Sequence, residues 1–173
     1  MLREMETSAR PRVRVRAARL EDAGALADIY MASAEHHLRL DPSLYRKPEW
    51  EHLEERYRSR LPSGEDSVIL VADRGGEVVG LVEVQLKAPD GEPRMLRDAV
   101  SAEVDIAVLP DSRGSGVGTE LIAAAEAWVF ERGAEFMTLQ VHTANVDAIR
   151  FYQERHGWRT SGLFMVKRPE PPS

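Results

Sequence analysis

The spacing of apolar and polar positions changes period several times along the chain, and each period predicts an element. Between Arg10 and Arg19, Val13, Val15 and Ala17 alternate with Arg12, Arg14 and Arg16, which predicts an edge strand over Val13–Ala18 with one wet face. A helix is expected to begin near Leu20-Glu21-Asp22, where acids suit the first turn, and Leu26, Ile29, Tyr30, Ser33 and His37 then share one face. A second helix follows Pro48 and runs to about Arg60. Ser67–Asp73 reads as a buried strand, Arg74-Gly75-Gly76 as a tight turn and Glu77–Lys87 as a longer strand. Ala88–Asp98, with Pro89-Asp90-Gly91 and Pro93, reads as a loop. A strand is predicted over Ala99–Leu109, stopped by Pro110, and a turn at Asp111–Ser115. Val117, Leu121, Ala124, Ala125 and Trp128 then repeat at helical spacing, which predicts a helix from Gly116 to Arg132, closed by Gly133. Glu135–His142 alternates again, a helix is expected from Asn145 to Gly157, and Trp158–Lys167 has room for one or two last strands.

The order is β-α-α-β-β-β-α-β-α-β. A three-strand meander leading into a β-α-β unit predicts an α/β (α+β) fold on a mixed sheet. The expectation is about six to seven strands flanked by about four helices. Residues 12–168 form one expected domain, with 1–11 and the Pro-rich 169–173 as frayed termini.

Composition narrows the function. The longest apolar runs, Val68–Ala72 and Leu121–Ala125, are too short to cross a bilayer, and the N-terminus has no apolar signal core. No membrane partner is therefore expected, and a cytoplasmic location is the default. A net charge of −6 argues against nucleic acid as a partner, since phosphate neutralisation needs clustered Lys and Arg. The absence of cysteine removes thiolate metal sites and any covalent thioester on the enzyme.

The segment richest in chemistry is Val104–Thr119, a strand entering a glycine-rich turn and then a helix. Unpaired amides at a helix start, aided by the helix dipole, favour an anion, and glycines at 114, 116 and 118 let one approach the main chain. A Walker-type loop needs Gly-Lys-[Ser/Thr], and no lysine lies here. A G-x-G-x-x-G dinucleotide pattern fails on spacing from Gly114 or Gly116. What remains is Arg-x-x-Gly-x-Gly, carried by Arg113, Gly116 and Gly118, or a glycine turn that merely starts a helix.

That pattern resembles the coenzyme A pyrophosphate loop of the GNAT acyltransferases. Asn145, Ala148, Ile149, Phe151, Tyr152, Gly157 and Trp158 resemble the superfamily's second motif, N-x-x-A-x-x-[FL]-Y-x-x-x-G-[FW]. Here Gln153–His156 makes the gap before Gly157 one residue longer than the commonest form. The resemblance is close over roughly Ala99–Trp158 and elsewhere rests on element order.

The resemblance implies a GNAT fold, acetyl-CoA as co-substrate and direct attack of an amine on the thioester in a ternary complex. The amides of Arg113, Gly114, Ser115, Gly116, Val117, Gly118 and Thr119 would cradle the pyrophosphate. The main chain of Ile106, Ala107 and Val108 would pair with the pantetheine arm, and Asn145 would bond to it. Tyr152 would protonate the departing thiolate, a task suited to a phenol of pKa about 10; its alternative is a core aromatic sharing a helix face with Ala148 and Ile149.

An attacking primary amine must first lose a proton, since its ordinary pKa is about 10.4. Glu103 and Asp105 are the candidate bases because alternation puts both on one strand face; a solvated strand face is the alternative. Glu103 is the first choice. The resemblance places the amine pocket along the first two helices, where Glu35, His36, His37, Asp41, Tyr45 and Trp50 lie. His37 and Tyr45, with Glu103, are substrate-binding candidates, although His37 also fits an inner packing role. The neighbouring histidines lack a second ligand set at suitable spacing, so no metal is expected. The acceptor is expected to be a small-molecule or peptide amine, with an acidic lining leaning towards a cation. Homodimers are frequent in such folds, and one is expected here. Two further readings stay open: a noncatalytic acyl-CoA sensor, and a protein-modifying regulator with an open groove.

Overall fold

A computed structural model describes residues 12–61, 64–92 and 97–167. The expected frayed termini and Pro93 in the expected loop therefore lie outside the described residues. The chain divides into two units, Met1–His142 and Thr143–Ser173.

In the first unit five strands form one sheet in sequence order: β1 (Val13–Ala17), β2 (Ser67–Arg74), β3 (Glu77–Lys87), β4 (Ser101–Val108) and β5 (Phe136–Thr138). The first three pairings are antiparallel and β4–β5 is parallel. β2 to β3 and β3 to β4 are joined by a turn and a loop, whereas the parallel pair needs a crossover, supplied by helix α3 (Val117–Phe130). Helices α1 (Ala23–Leu40) and α2 (Trp50–Arg60) precede β2, and a short 3-10 turn at Leu20–Asp22 leads into α1.

Alternation along the strands divides the apolar residues between two layers. Leu70, Ala72, Val82, Val84, Ala102 and Val104 pack with Val117, Leu121, Ala125 and Val129 of α3. Ile69, Val71 and Leu81 pack with Leu26 and Ile29 of α1 and Leu53 and Tyr57 of α2. A register shift at Ala72/Asp73 puts Val78 in the α1/α2 layer and Val79 in the α3 layer. A Cβ on Gly80 would come within 3.0 Å of Leu121 and 3.1 Å of Val117, so its bare backbone sets how closely α3 approaches β3.

β1 is the edge strand that its alternation predicts, with Arg12 and Arg14 exposed. Arg16 differs: it bonds both oxygens of the buried Asp22, at 2.7 and 3.0 Å, and Asp73 at 3.0 Å. The Arg16 bond is the main cause that holds Asp22 below the usual carboxylate range. A lowered folded-state pKa means that the stabilisation is present above the unfolded value and is lost as pH falls through the folded one. Arg16→Ala is expected to cost about 2 kcal/mol at pH 7, the scale of a charge-assisted bond. In urea unfolding the gap to wild type should shrink as pH drops below the carboxylate range.

In the second unit α4 (Val146–Arg150) runs into a π-helical turn at Phe151–Arg155. This is where the second motif carries its extra residue, and a π turn accommodates one more residue than an α turn. Among the described residues the sheet has five strands rather than six or seven. Residues 158–167, expected to add one or two, are irregular. A strand needs a partner edge, and the described part of this unit contains no strand to supply one.

Candidate active site

β4 pairs with β3 along its whole length, from Ser101↔Lys87 to Val108↔Gly80. It pairs with β5 only at Ser101↔Phe136, Ala102↔Met137 and Glu103↔Thr138. Beyond Glu103 the two parallel strands part, so the main chain from Val104 to Val108 has a ladder on the β3 side alone. Such an edge accepts an extended, amide-bearing chain as an added strand, and Ile106, Ala107 and Val108 lie on it.

The open edge leads into the glycine-rich turn. Pro110–Ser112 forms a 3-10 turn, Gly114 and Gly116 take φ of 71° and 87°, and Gly116 caps α3. The first bond inside α3 runs from Glu120 N to Gly116 O, so the preceding amides, including those of Val117 and Gly118, have no acceptor within the helix. Arg74, at the end of β2, braces the turn by donating to Ser112 Oγ at 3.2 Å and Ser115 Oγ at 2.8 Å. Ser115 in turn donates to Ser112 O, and Arg113 Nε to Val108 O.

On the opposite face of the sheet lies a cavity of about 720 Å³ between α1, α2 and strands β3 to β5. That is a small-molecule volume. His37, Tyr45, Glu103 and Asp105, all singled out from the sequence, line it. His37 Nδ1 donates to Ser33 O at 2.8 Å, and its ring stands 5.0 Å from that of Tyr45. Glu35 and Trp50 serve elsewhere: Glu35 pairs with Lys47, and Trp50 donates to Asp28. Asp41 accepts from Ser43 and Leu44 in the turn after α1.

The two candidate bases differ in environment. Glu103 is exposed and pairs with Lys87 at 3.4 Å. Asp105 is exposed as well, at the cavity, but the atoms of β3, α1 and α2 crowd its carboxyl. Desolvation, then the negative charge of Glu83, push its carboxyl above the usual range, against the pull of His37 and Arg56. The two acids on this strand face thus sit in different surroundings, one beside a lysine and the other beside a second carboxylate.

Glu83, which sequence reasoning missed, lies directly across from Asp105 in the β3–β4 ladder and is 8% exposed. It accepts from Tyr57 Oη at 2.7 Å, from Arg56 at 3.3 Å and from Arg60. Burial and the neighbouring Glu83 charge drive the Tyr57 phenol far above its ordinary pKa, so it stays a donor. The signal was present in the sequence: one carboxylate interrupts the apolar run of β3, and Arg56 and Arg60 stand four apart on α2 beside Tyr57.

Asn145 caps α4, its Oδ1 accepting from Ala148 N at 3.3 Å. Tyr152 is buried, with its ring 5.2 Å from Phe151 and 5.9 Å from Trp158. Among the described residues no helix is long and apolar enough to cross a membrane, and no group of three His, Cys, Asp or Glu is placed to hold a metal.

A parted parallel pair, a glycine-rich helix start and an adjoining cavity agree with what the family comparison finds. The model of the acetyltransferase (GNAT) family matches residues 26–158. The chain belongs to the GNAT acetyltransferases. It is 30% identical over 141 residues to an uncharacterized N-acetyltransferase, YhfO, of Bacillus subtilis, covering 81% of this chain and 86% of that one. It is 32% identical over 97 residues to the aminoalkylphosphonate N-acetyltransferase of Salmonella typhimurium, covering 56% of this chain and 60% of that one. A crystal structure of a mutant BH1408 protein from Bacillus halodurans superposes with a TM-score of 0.82 at 21% identity, over 91% of this chain and 99% of that one. This GNAT chain is thus an acetyltransferase, with the mixed sheet of that fold. Gly116→Val puts a β-branched residue at φ 87° in its turn, a strain of about 1–2 kcal/mol. With the pyrophosphate resting on this turn, as proposed below, the expected result is acetyl-CoA binding weakened about tenfold by calorimetry, the equivalent of 1.4 kcal/mol.

Proposed function

We propose that this GNAT enzyme transfers acetyl from acetyl-CoA to a primary amine of a small molecule, in a ternary complex, with Asp105 as the base. The observation that carries the reading is the junction of the parted β4–β5 edge with the cavity that holds Asp105. The thioester arm pairs along Ile106–Val108, its pyrophosphate rests on the turn from Arg113 to Thr119, and Asn145 bonds the arm. The amine enters from the α1/α2 side, with His37, Tyr45 and Glu103 in the wall around it.

Asp105 takes a proton from the ammonium, and the freed nitrogen lone pair attacks the thioester carbonyl carbon. The C–N bond forms, the carbon–sulfur bond breaks and Tyr152 gives its proton to the leaving thiolate. The new amide nitrogen sheds its second proton to solvent, the phenolate is reprotonated from solvent and Asp105 releases its proton, so each turnover frees one proton. A carboxyl with a raised pKa suits the first step better than an ordinary one, because it is the stronger base. The role of Tyr152 is supported by its place in the second motif, and the lack of any cysteine agrees with direct transfer.

A cavity of small-molecule size, with this base within it, favours a small acceptor over a protein surface. Initial velocities with both substrates varied test the mechanism. Lines that intersect in double-reciprocal form are expected; parallel lines, with an acetylated enzyme seen by intact mass, contradict direct transfer.

A further inference from the structure

The cavity wall is less acidic than the sequence suggested. Three arginines, Arg46, Arg56 and Arg60, face three carboxylates, Glu83, Glu103 and Asp105. Glu103 is already matched by Lys87. Glu83 is shared between Arg56 and Arg60, which leaves that group one positive charge in excess. Its carboxylate is only 9% exposed, while the two arginine side chains keep 38% and 37%. Glu83 therefore acts as a buried anchor that orients two guanidinium groups towards the cavity. Tyr30 and Tyr57 fix Arg56 further, their rings lying 5.1 and 5.3 Å from its guanidinium carbon. Arg46 is exposed at the cavity and makes no ion pair among the described residues.

Each guanidinium has five N–H donors, and Glu83 takes few of them. The rest suit the planar or tetrahedral oxygens of a carboxylate, phosphonate or phosphate, which arginine binds through paired bonds. Asp105, opposite Glu83 on the neighbouring strand, supplies the negative end. We propose that the acceptor is an amine that also carries an anionic group, held by Arg46, Arg56 and Arg60 while its amine faces Asp105. A polycation meets the arginine wall with like charge and is disfavoured. This assignment rests on the acetyl-transfer reading for the identity of the site, and the experiment separates the two.

Aminoethylphosphonate, propylamine and spermidine are compared as acceptors, and the binding of each to the enzyme is measured by calorimetry. The expected order of kcat/KM is aminoethylphosphonate first. Arg46→Gln should lower the ratio of its kcat/KM to that of propylamine about tenfold, as loss of a charge-assisted bond implies. Arg60→Gln is the second variant and should shift the ratio in the same direction. A preference for spermidine, or an equal loss for both monoamines in both variants, overturns the assignment while leaving acetyl transfer standing. If no amine is acetylated, the transfer reading fails and calorimetry decides the subsite. Aminoethylphosphonate binding that Arg46→Gln weakens then upholds it, and no binding overturns it.

Discussion

Asp105→Asn is expected to lower kcat for amine acetylation by about 10²- to 10⁴-fold, the range for loss of a positioned acid or base. The same substitution should leave the protein folded and make it more stable at neutral pH. Burial and Glu83 raise the pKa of this carboxyl in the folded state. A carboxylate with a raised folded pKa costs stability once ionised. The cost is absent below the unfolded value of about 3.9, grows through the window up to the raised folded value and is constant above it. Asn removes the charge and with it the cost. The variant's melting temperature should therefore exceed the wild type's, by a margin that widens as pH rises through that window. A stability gain joined to an activity loss separates a catalytic role from a structural one.

Glu83→Ala has the largest expected effect on stability. It leaves Arg56, Arg60 and the Tyr57 hydroxyl without their shared acceptor. Removing one partner of a buried ionic group costs about 3–5 kcal/mol, measurable by urea unfolding. Glu83→Gln keeps an acceptor for Tyr57 and should cost less. It also removes the negative charge that helps raise the Asp105 pKa, so the acid limb of its kcat–pH profile should move to lower pH. An unmoved limb means that Asp105 is not the group titrating in that profile.

Elements built from local pattern were legible in the sequence. β3 spans Glu77–Lys87 as its turn and apolar run predict, and α3 begins one residue after Gly116. The glycine turn was legible because its spacing is itself the geometry. β5 was overextended: alternation from Glu135 to His142 reports faces of different polarity, but the ladder with β4 ends at Thr138. Where parallel strands part is a tertiary fact with no local code. The shared strand face of Glu103 and Asp105 followed from a two-residue period, whereas their different surroundings did not. Lys87 pairs with Glu103 and Glu83 lies across from Asp105, and both partners come from a neighbouring strand. Arg56 and Arg60 reach Glu83 from more than twenty residues away. A charge balance of that kind appears only once the helices are packed.

The most direct test of acetyl transfer at this cavity is thiol release from acetyl-CoA on addition of a primary amine, read with a thiol reagent. With no cysteine in the chain, every thiol detected is coenzyme A. Amine-dependent release is expected from the wild type, with a fall of at least about a hundredfold in folded Asp105→Asn. Amine-dependent release that survives unchanged in Asp105→Asn contradicts the assignment of the base. No release with any amine, although acetyl-CoA binds, contradicts the transfer itself and leaves a protein that holds the cofactor without using it.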